Sequence, residues 1–363
     1  LAAPALARVD APPHTCSAMD GYAVRAADVA APCALEVVAT IYAGAAPAPL
    51  PPGQAARIFT GATVPPGADA VVRQEATHLE GARVRFTGPA RPGENVRRAG
   101  EDVARGGVAL EAGARLGARQ AALLAAVGVE RVSVRRVPRV AIVSTGDEIV
   151  SGRTPDSNGV ALAGLVAALG ASPQRSAAGD SPESVGRALS AALAAADAVL
   201  TVGGVSVGER DLVPAAVGAL GADVRVHGVP MKPGKPFLFA LAGGKPVFGL
   251  PGSPSACLAA FEVFVRPALR HLAGAAQRER PSVRLPLAEA VDGRAGRARL
   301  LWARLDGLAV RPVGRDAAQV RGPALADALV VLPADTGSLP AGAEVFAWLL
   351  DDDAPPAAPG GGA

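Results

Sequence analysis

Two of the chain's three lysines, Lys232 and Lys235, stand three apart in Met231-Lys232-Pro233-Gly234-Lys235-Pro236. Taking those three from the 36 lysines plus arginines leaves 33 arginines, so bare positive charge is supplied by arginine and a paired lysine turn asks for a specific reason. An ammonium is a compact point charge with three donors, suited to a phosphate or other oxyanion where a flat guanidinium does not fit. Pro233-Gly234 holds the backbone between them in a turn; alone, the segment reads equally well as a basic hairpin tip. Other segments carry related chemistry: Thr145-Gly146-Asp147-Glu148, the loop from Gly203 to Asp211, Pro251-Gly252-Ser253-Pro254-Ser255, and Asp180 just before Ser181. Gly203, Gly204 and Gly208 let backbone amides approach an anion, and Gly252-Ser253 at a helix start offers free N–H groups. Carboxylates repel phosphate unless they hold a divalent cation that grips its oxygens, as magnesium usually does. Each segment alone is most often a plain loop or a helix cap. Together they imply a magnesium-assisted site for a phosphate-bearing ligand.

The elements that must position these residues follow from hydrophobic pattern. After Pro138 strands and helices alternate: strand 139–144, helices 159–169 and 182–196, strands 198–202, 223–227 and 245–250, and a long helix 254–272. Ser181 as cap, Pro182 at the first helical position and Glu183 in the first turn mark the second helix start. Such alternation implies a doubly wound, mostly parallel sheet, whose ligands lie beyond the carboxyl ends of the strands. The reactive segments follow those strand ends. Before Pro138 the pattern is short apolar pieces cut by Pro and Gly, at 35–42, 56–59, 70–74 and 83–86, with a short helix near 121–127. After Gln277 short strands return at 282–287, 298–305 and 343–350. The fold expected is therefore multidomain α/β: a β-rich domain over 1–100, a connector over 101–137 packing on something absent or distant, an α/β domain over 138–277, a small β domain over 278–352 and a disordered tail over 353–363.

Bulk composition narrows the function classes. Half the residues are apolar but only 3% are aromatic, which requires an aliphatic core. A net charge of +3, with arginines spread along the chain, is no argument for nucleic acid. Cys16, Cys33 and Cys257 are isolated and His14, His78, His227 and His271 scattered, so neither a disulfide framework nor a zinc site is indicated; a reduced, cytoplasmic setting is expected. No apolar run is long enough to cross a bilayer and nothing resembles a secretory leader. Because the first residue is Leu1 rather than Met, the true start is expected upstream.

The motifs Ser17-Ala18-Met19-Asp20-Gly21-Tyr22-Ala23, Phe59-Thr60-Gly61-Ala62, Gly100-Glu101-Asp102, Ser144-Thr145-Gly146-Asp147-Glu148, Gly203-Gly204-Val205-Ser206-Val207-Gly208, Lys232-Pro233-Gly234-Lys235-Pro236 and Gly249-Leu250-Pro251-Gly252 occur in that order. In this the chain resembles the molybdopterin molybdenumtransferases, the molybdate-insertion family that includes the E domain of gephyrin. The resemblance implies a molybdopterin-binding sheet domain, a C-terminal β-barrel, and conversion of adenylylated molybdopterin and molybdate to molybdenum cofactor with Mg2+-dependent release of AMP. It implies catalytic roles for Asp20, Thr60, Asp102, Glu148, Asp180, Asp211 and Lys232, with Asp180, Asp211 and Glu148 toward the metal. Substrate contacts are implied for Arg97, Gly203, Gly204, Ser206, Gly208, Lys235, Pro251, Gly252, Ser253 and Pro254. It further implies a homodimer whose site is shared between subunits, through a first-domain face bearing Asp20, Thr60, Arg97 and Asp102, and other cofactor-synthesis proteins as partners. The chain departs from the family pattern at Cys16 and Ser253, where Asn is usual, at Gly228, where some members carry lysine, and at Arg321-Gly322-Pro323, where a serine-rich turn is customary; the family's N-terminal helical segment is expected upstream of Leu1. Two other classes compete: a pterin-binding scaffold of the same fold without turnover, and a magnesium-dependent nucleotide phosphohydrolase.

Overall fold

Short strands ended by glycine turns build one part of the chain, and longer apolar strands alternating with helices build the other. The computed structural model describes residues 1–206, 208, 211–293, 296–314 and 318–350; the tail expected at 353–363 lies outside them. The chain divides into two units, Leu1–Val134 and Arg135–Ala363, each described by itself. Among the described residues no helix is long and apolar enough to cross a membrane.

The first unit contains β1 (Ala5–Leu6), β2 (Cys16–Ser17), β3 (Gly21–Val24), β4 (Cys33–Ile41), β5 (Gln54–Ile58), β6 (Ala70–Arg73), β7 (Thr77–Glu80), β8 (Arg83–Phe86), β9 (Val96–Arg97), β10 (Val108–Leu110) and α1 (Ala118–Ala126). Its main sheet runs β6-β3-β5-β4-β8-β7, with β4 and β5 parallel and the other pairs antiparallel. The side-chain period of two sends Tyr22, Val24, Ala55 and Val72 to one face and Ala23, Ala56, Ile58 and Val71 to the other, and both faces are covered. The segment read as a connector packs on the chain's own first residues: Leu124, Val127 and Val129 are buried with Leu1, Ala5, Ala7 and Ala11, and β1 pairs with β10.

The second unit contains β11 (Arg139–Thr145), α2 (Asp147–Val150), α3 (Ser157–Ala168), β12 (Ser172–Ala178), α4 (Pro182–Ala195), β13 (Ala198–Val202), α5 (Val213–Ala219), β14 (Asp223–His227), β15 (Met231–Lys232), β16 (Leu238–Ala242), β17 (Lys245–Leu250), α6 (Pro254–Ala260), α7 (Arg266–Leu272), β18 (Ser282–Pro286), β19 (Ala298–Asp306), β20 (Ala309–Pro312), α8 (Arg321–Ala324), β21 (Ala328–Leu332) and β22 (Glu344–Leu349). The first sheet is ordered β12-β11-β13-β17-β16-β14, parallel except for β16, which runs against both neighbours. Alternate residues of β11 feed two cores: Val140 and Ile142 face α3 and α6, whereas Ala141 and Val143 face α4 and α5. The sheet is therefore doubly wound, as the pattern implied. Ser181 accepts the Ser184 N–H at 3.2 Å, with Pro182 opening α4. The long helix expected at 254–272 is interrupted by a π-helical turn, Phe261–Val265. Pro267, which has no N–H to give, stands just beyond it.

The C-terminal strands form the sheet β15-β19-β21-β22-β18, with β20 on β19. A bridge between Leu287 and Val310 and the Ala288 N–H on the Val310 carbonyl bring the end of β18 to β20, closing a small barrel over Ala303, Val330 and Ala347. Leu300, Trp302 and Leu329 join the core beside α6, so barrel and doubly wound sheet share apolar packing.

Asp197 pins the two central parallel strands at their entering ends. Its Oδ2 accepts the Arg139 N–H at 2.7 Å, and the Arg136 guanidinium holds both oxygens at 2.8 Å. These bonds, Arg136 first, lower the carboxyl from 3.8 to about 2. A folded-state value below the unfolded one gives stability that is full above about pH 4 and lost as pH falls through about 2. The Arg136 head is open to solvent, so screening by water reduces what its pairing contributes to stability. Asp197→Asn is expected to cost about 1 kcal/mol at pH 7, with the gap to the parent closing on acidification through that window in denaturant titrations.

Candidate functional site

Parallel pairing brings the carboxyl ends of β12, β11, β13 and β17 to one edge, and the loops there are tied in sequence. From β11, Thr145 Oγ1 donates to the Val202 carbonyl at 3.0 Å. Gly146 turns the chain at φ 140°, and the Glu148 carboxylate lies where a Cβ on Gly146 would sit, 2.6 Å from its Oε1. Asp147 and Asp180 exchange bonds: the Asp180 N–H donates to Asp147 Oδ1 at 3.0 Å, and the Asp147 N–H donates to Asp180 Oδ2 at 3.4 Å. Both residues are exposed. Asp147 was absent from the expected site set; its position beside Glu148 in the same loop was the available signal.

Beyond β13, Gly203 and Gly204 are consecutive left-handed residues at φ 84° and 65°. A Cβ on Gly203 would lie 3.0 Å from Thr145 Oγ1, and one on Gly252 would lie 3.6 Å from Gly203 Cα. The Gly203 N–H donates to the Leu250 carbonyl at 3.0 Å, and Asn158 Nδ2 donates to the Gly252 carbonyl at 2.7 Å. Thus Asp180, Asp147, Thr145, Gly203, Gly252 and Asn158 form one continuous line of contacts. Ser206 and Gly208 are exposed on the same loop. Asp211 closes that loop, accepting the Gly208 N–H at 2.7 Å. Pro251 is buried, Pro254 opens α6, and Ser253 precedes it without a side-chain cap bond.

The lysine turn follows the carboxyl end of β14. The Gly228 N–H on the Phe237 carbonyl and the Val229 N–H on the Lys235 carbonyl close its base. Its first arm, β15, then pairs in parallel with β19, setting Lys232 opposite Arg299. Lys232 lines a cavity of about 280 Å³ with Ser255, Glu289, Asp292, Arg299 and Trp302. Ser255 Oγ accepts the Trp302 indole N–H at 2.9 Å, and Ser255 stands three residues beyond Gly252, which links cavity and sheet edge through one short segment. Arg299 is nearly buried; it donates to the Asp292 and Gly337 carbonyls, and its Nε has no hydrogen-bond partner among the described residues. Lys235 stays exposed on the far arm of the turn.

In the first unit Asp20 Oδ1 accepts both the N–H and the hydroxyl of Thr60 at 2.8 Å. These bonds, backbone before side chain and with Arg57 aiding, hold its carboxyl below the usual range. Arg97 pairs with Glu101 at 2.9 Å, and Asp102 adds its charge to the same arginine. Glu101, in the quoted motif but not the expected site set, is Arg97's direct partner. Burial pushes the Cys257 thiol up to about 12, which removes it as a nucleophile.

Among the described residues no three or more His, Cys, Asp or Glu side chains gather as a metal cage. Magnesium asks for less, taking one or two carboxylates and completing its shell with phosphate oxygens and water. The Asp147–Asp180 pair fits that need, because each spends one oxygen on the other's N–H and keeps the second unbonded among the described residues.

Three family models match in succession: the MoeA N-terminal region (domain I and II) over residues 1–128, a probable molybdopterin binding domain over 141–271, and the MoeA C-terminal region (domain IV) over 284–350. A molybdopterin molybdenumtransferase of Nostoc sp. is 45% identical over 294 residues, covering 76% of this chain and 67% of the relative. Molybdopterin molybdenumtransferase 2 of Mycobacterium tuberculosis is 37% identical, covering 92% and 88%. A crystal structure of the molybdopterin biosynthesis moeA protein from Pyrococcus horikoshii superposes with a TM-score of 0.84 at 29% identity, covering 96% of this chain and 91% of that one.

Gly203→Ala combines a left-handed backbone with a Cβ pressed on Thr145. It is expected to cost about 1–2 kcal/mol of stability, measured as a lowered guanidinium midpoint with an unchanged slope.

Proposed function

The chain belongs to the MoeA family of molybdopterin molybdenumtransferases, and from that premise we propose that it inserts molybdate into adenylylated molybdopterin with release of AMP. The observation that carries this reading is the unbroken line from the Asp147–Asp180 pair through Thr145 and the Gly203 turn to Gly252. It places an acidic pair beside backbone that can approach phosphates closely. A diphosphate laid along that line meets carboxylates at one end and glycine backbone without side chains at the other.

The bond to be broken is the phosphoanhydride joining the pterin phosphate to AMP; an oxygen of water or of molybdate adds to phosphorus as that P–O bond breaks, and AMP leaves with the bridging electron pair. Gly203, Gly204 and Gly208, with the Ser206 hydroxyl, orient the phosphates; Gly252, Ser253, Pro251 and Pro254 shape the adjoining wall. Asp147 and Asp180, with Glu148 and Asp211 as further carboxylates, would hold magnesium, which would supply Lewis-acid polarisation. Lys232 offsets negative charge as the anhydride opens. In the cavity beside it, which Glu289 and Asp292 also line, Lys232, Arg299 and the Ser255 hydroxyl are the groups that can hold molybdate. The dithiolene sulfurs belong to the substrate, so no protein thiol is needed. Asp20, Thr60, Arg97 and Asp102 form the first unit's contribution, in a cytoplasmic homodimer whose subunits share each site.

Incubation with adenylylated molybdopterin, Mg2+ and molybdate is expected to release AMP only when molybdate is present. Asp180→Ala, Asp147→Ala and Lys232→Ala should each slow release by about 10²-fold. Tight pterin binding without AMP, indifferent to these substitutions, would instead indicate a non-catalytic binding protein.

A further inference from the structure

Aromatic residues are scarce in this chain: eight Phe, two Trp and two Tyr among 363. Both tyrosines nevertheless stand in one ladder on the first unit's sheet. Its inner rung is Tyr22 on β3, 4% exposed and part of the core. Arg57, its register partner on β5, sets its guanidinium 5.0 Å from the Tyr22 ring centroid and 5.2 Å from that of Phe59. Phe59 then stacks on Tyr42, with centroids 5.1 Å apart and ring planes 8° from parallel. The order is ring, cation, ring, ring, running outward from the core to a tyrosine that is 62% exposed.

Packing alone does not account for this. Neither Phe59 nor Tyr42 belongs to a hydrophobic core cluster, and an aromatic ring recruited for stability is buried rather than left in water. The rungs are also fixed in place. The Phe59 N–H donates to the Ile41 carbonyl, which holds the ends of β5 and β4 side by side, and Arg57 Nη2 donates to Gln74 Oε1 at 2.5 Å. The result is a flat, open aromatic face backed by a cation. The residue after Phe59 is Thr60, which bonds Asp20, so the ladder begins beside that polar pair.

We propose that Tyr42, braced by Phe59 and Arg57, is a stacking platform for a planar nitrogen heterocycle of purine or pterin type. The inference rests on the function proposed above, since adenylylated molybdopterin carries one ring of each kind. Face-to-face stacking needs only a fixed ring of this sort, tolerates any π-faced ligand, and loses about 5- to 100-fold in affinity when the aromatic side chain is cut to alanine. Asp20 and Thr60 then meet the polar substituents of the same ligand.

The test compares the parent protein with Tyr42→Ala and Tyr42→Phe in two assays: steady-state AMP release, and calorimetric titration with AMP and separately with a phosphate-free pterin. Tyr42→Ala is expected to raise KM for adenylylated molybdopterin about tenfold while leaving kcat and thermal midpoint near the parent's. Tyr42→Phe, which keeps the ring, should restore parental KM. Whichever titrant weakens on Tyr42→Ala identifies the ring that stacks. Parental KM and unchanged binding of both titrants in Tyr42→Ala would overturn the proposal, as would Tyr42→Phe failing as badly as Tyr42→Ala. No AMP release by the parent protein, with binding still dependent on Tyr42, would reject the transferase reading and leave the platform standing.

Discussion

Parallel pairing of β12, β11, β13 and β17 is the constraint on which the second unit's chemistry depends. Parallel strands leave a sheet at the same edge, so loops separated by more than one hundred residues become neighbours without further design. Asp147 and Asp180 show how little is then required. Each carboxylate accepts the other residue's N–H, which ties the two loops together and leaves one oxygen of each unbonded among the described residues. Buried strands of Val, Ile, Leu and Ala bear the free-energy load, and the polar edge rests on them.

The lysine turn obeys a different logic. It leaves the sheet after β14, closes its own base through Gly228 and Val229, and lends β15 to the barrel. Lys232 thereby becomes a wall of a cavity whose other walls are Ser255 from the helix side and Arg299 and Trp302 from the barrel. One short segment belongs at once to the doubly wound sheet by connection and to the barrel by hydrogen bonding. The Trp302 indole on Ser255 strengthens the same junction from the opposite direction.

In the first unit the polar residues and the rare aromatics meet at the ends of β4 and β5. Asp20 is held ionised by Thr60, Arg57 stands between two rings, and Tyr42 presents its face to water. Short strands with glycine turns suit such a surface, because each turn can carry a side chain out of the core without breaking the sheet behind it.

Much of this was legible in the sequence because it is local. Strands 198–202, 223–227 and 245–250 were bounded to the residue, and Ser181-Pro182 marked a helix start that the structure keeps. Elements whose signals are weak or shared were not read: α5 has only seven residues, β16 forms a hairpin with β17 across Gly243-Gly244, and β20 and β21 lack strict alternation. The residue types at the strand ends, the paired lysines and the scarcity of tyrosine were all determined by composition and order. Which carboxylate faces which was decided by register between strands, which is why Asp147 comes to exchange hydrogen bonds with Asp180. Placement of Lys232 against the barrel and of Tyr42 against Phe59 likewise needed the tertiary structure, because a side chain's chemistry is written in its own atoms, whereas its neighbours depend on hydrogen bonds made by residues far along the chain.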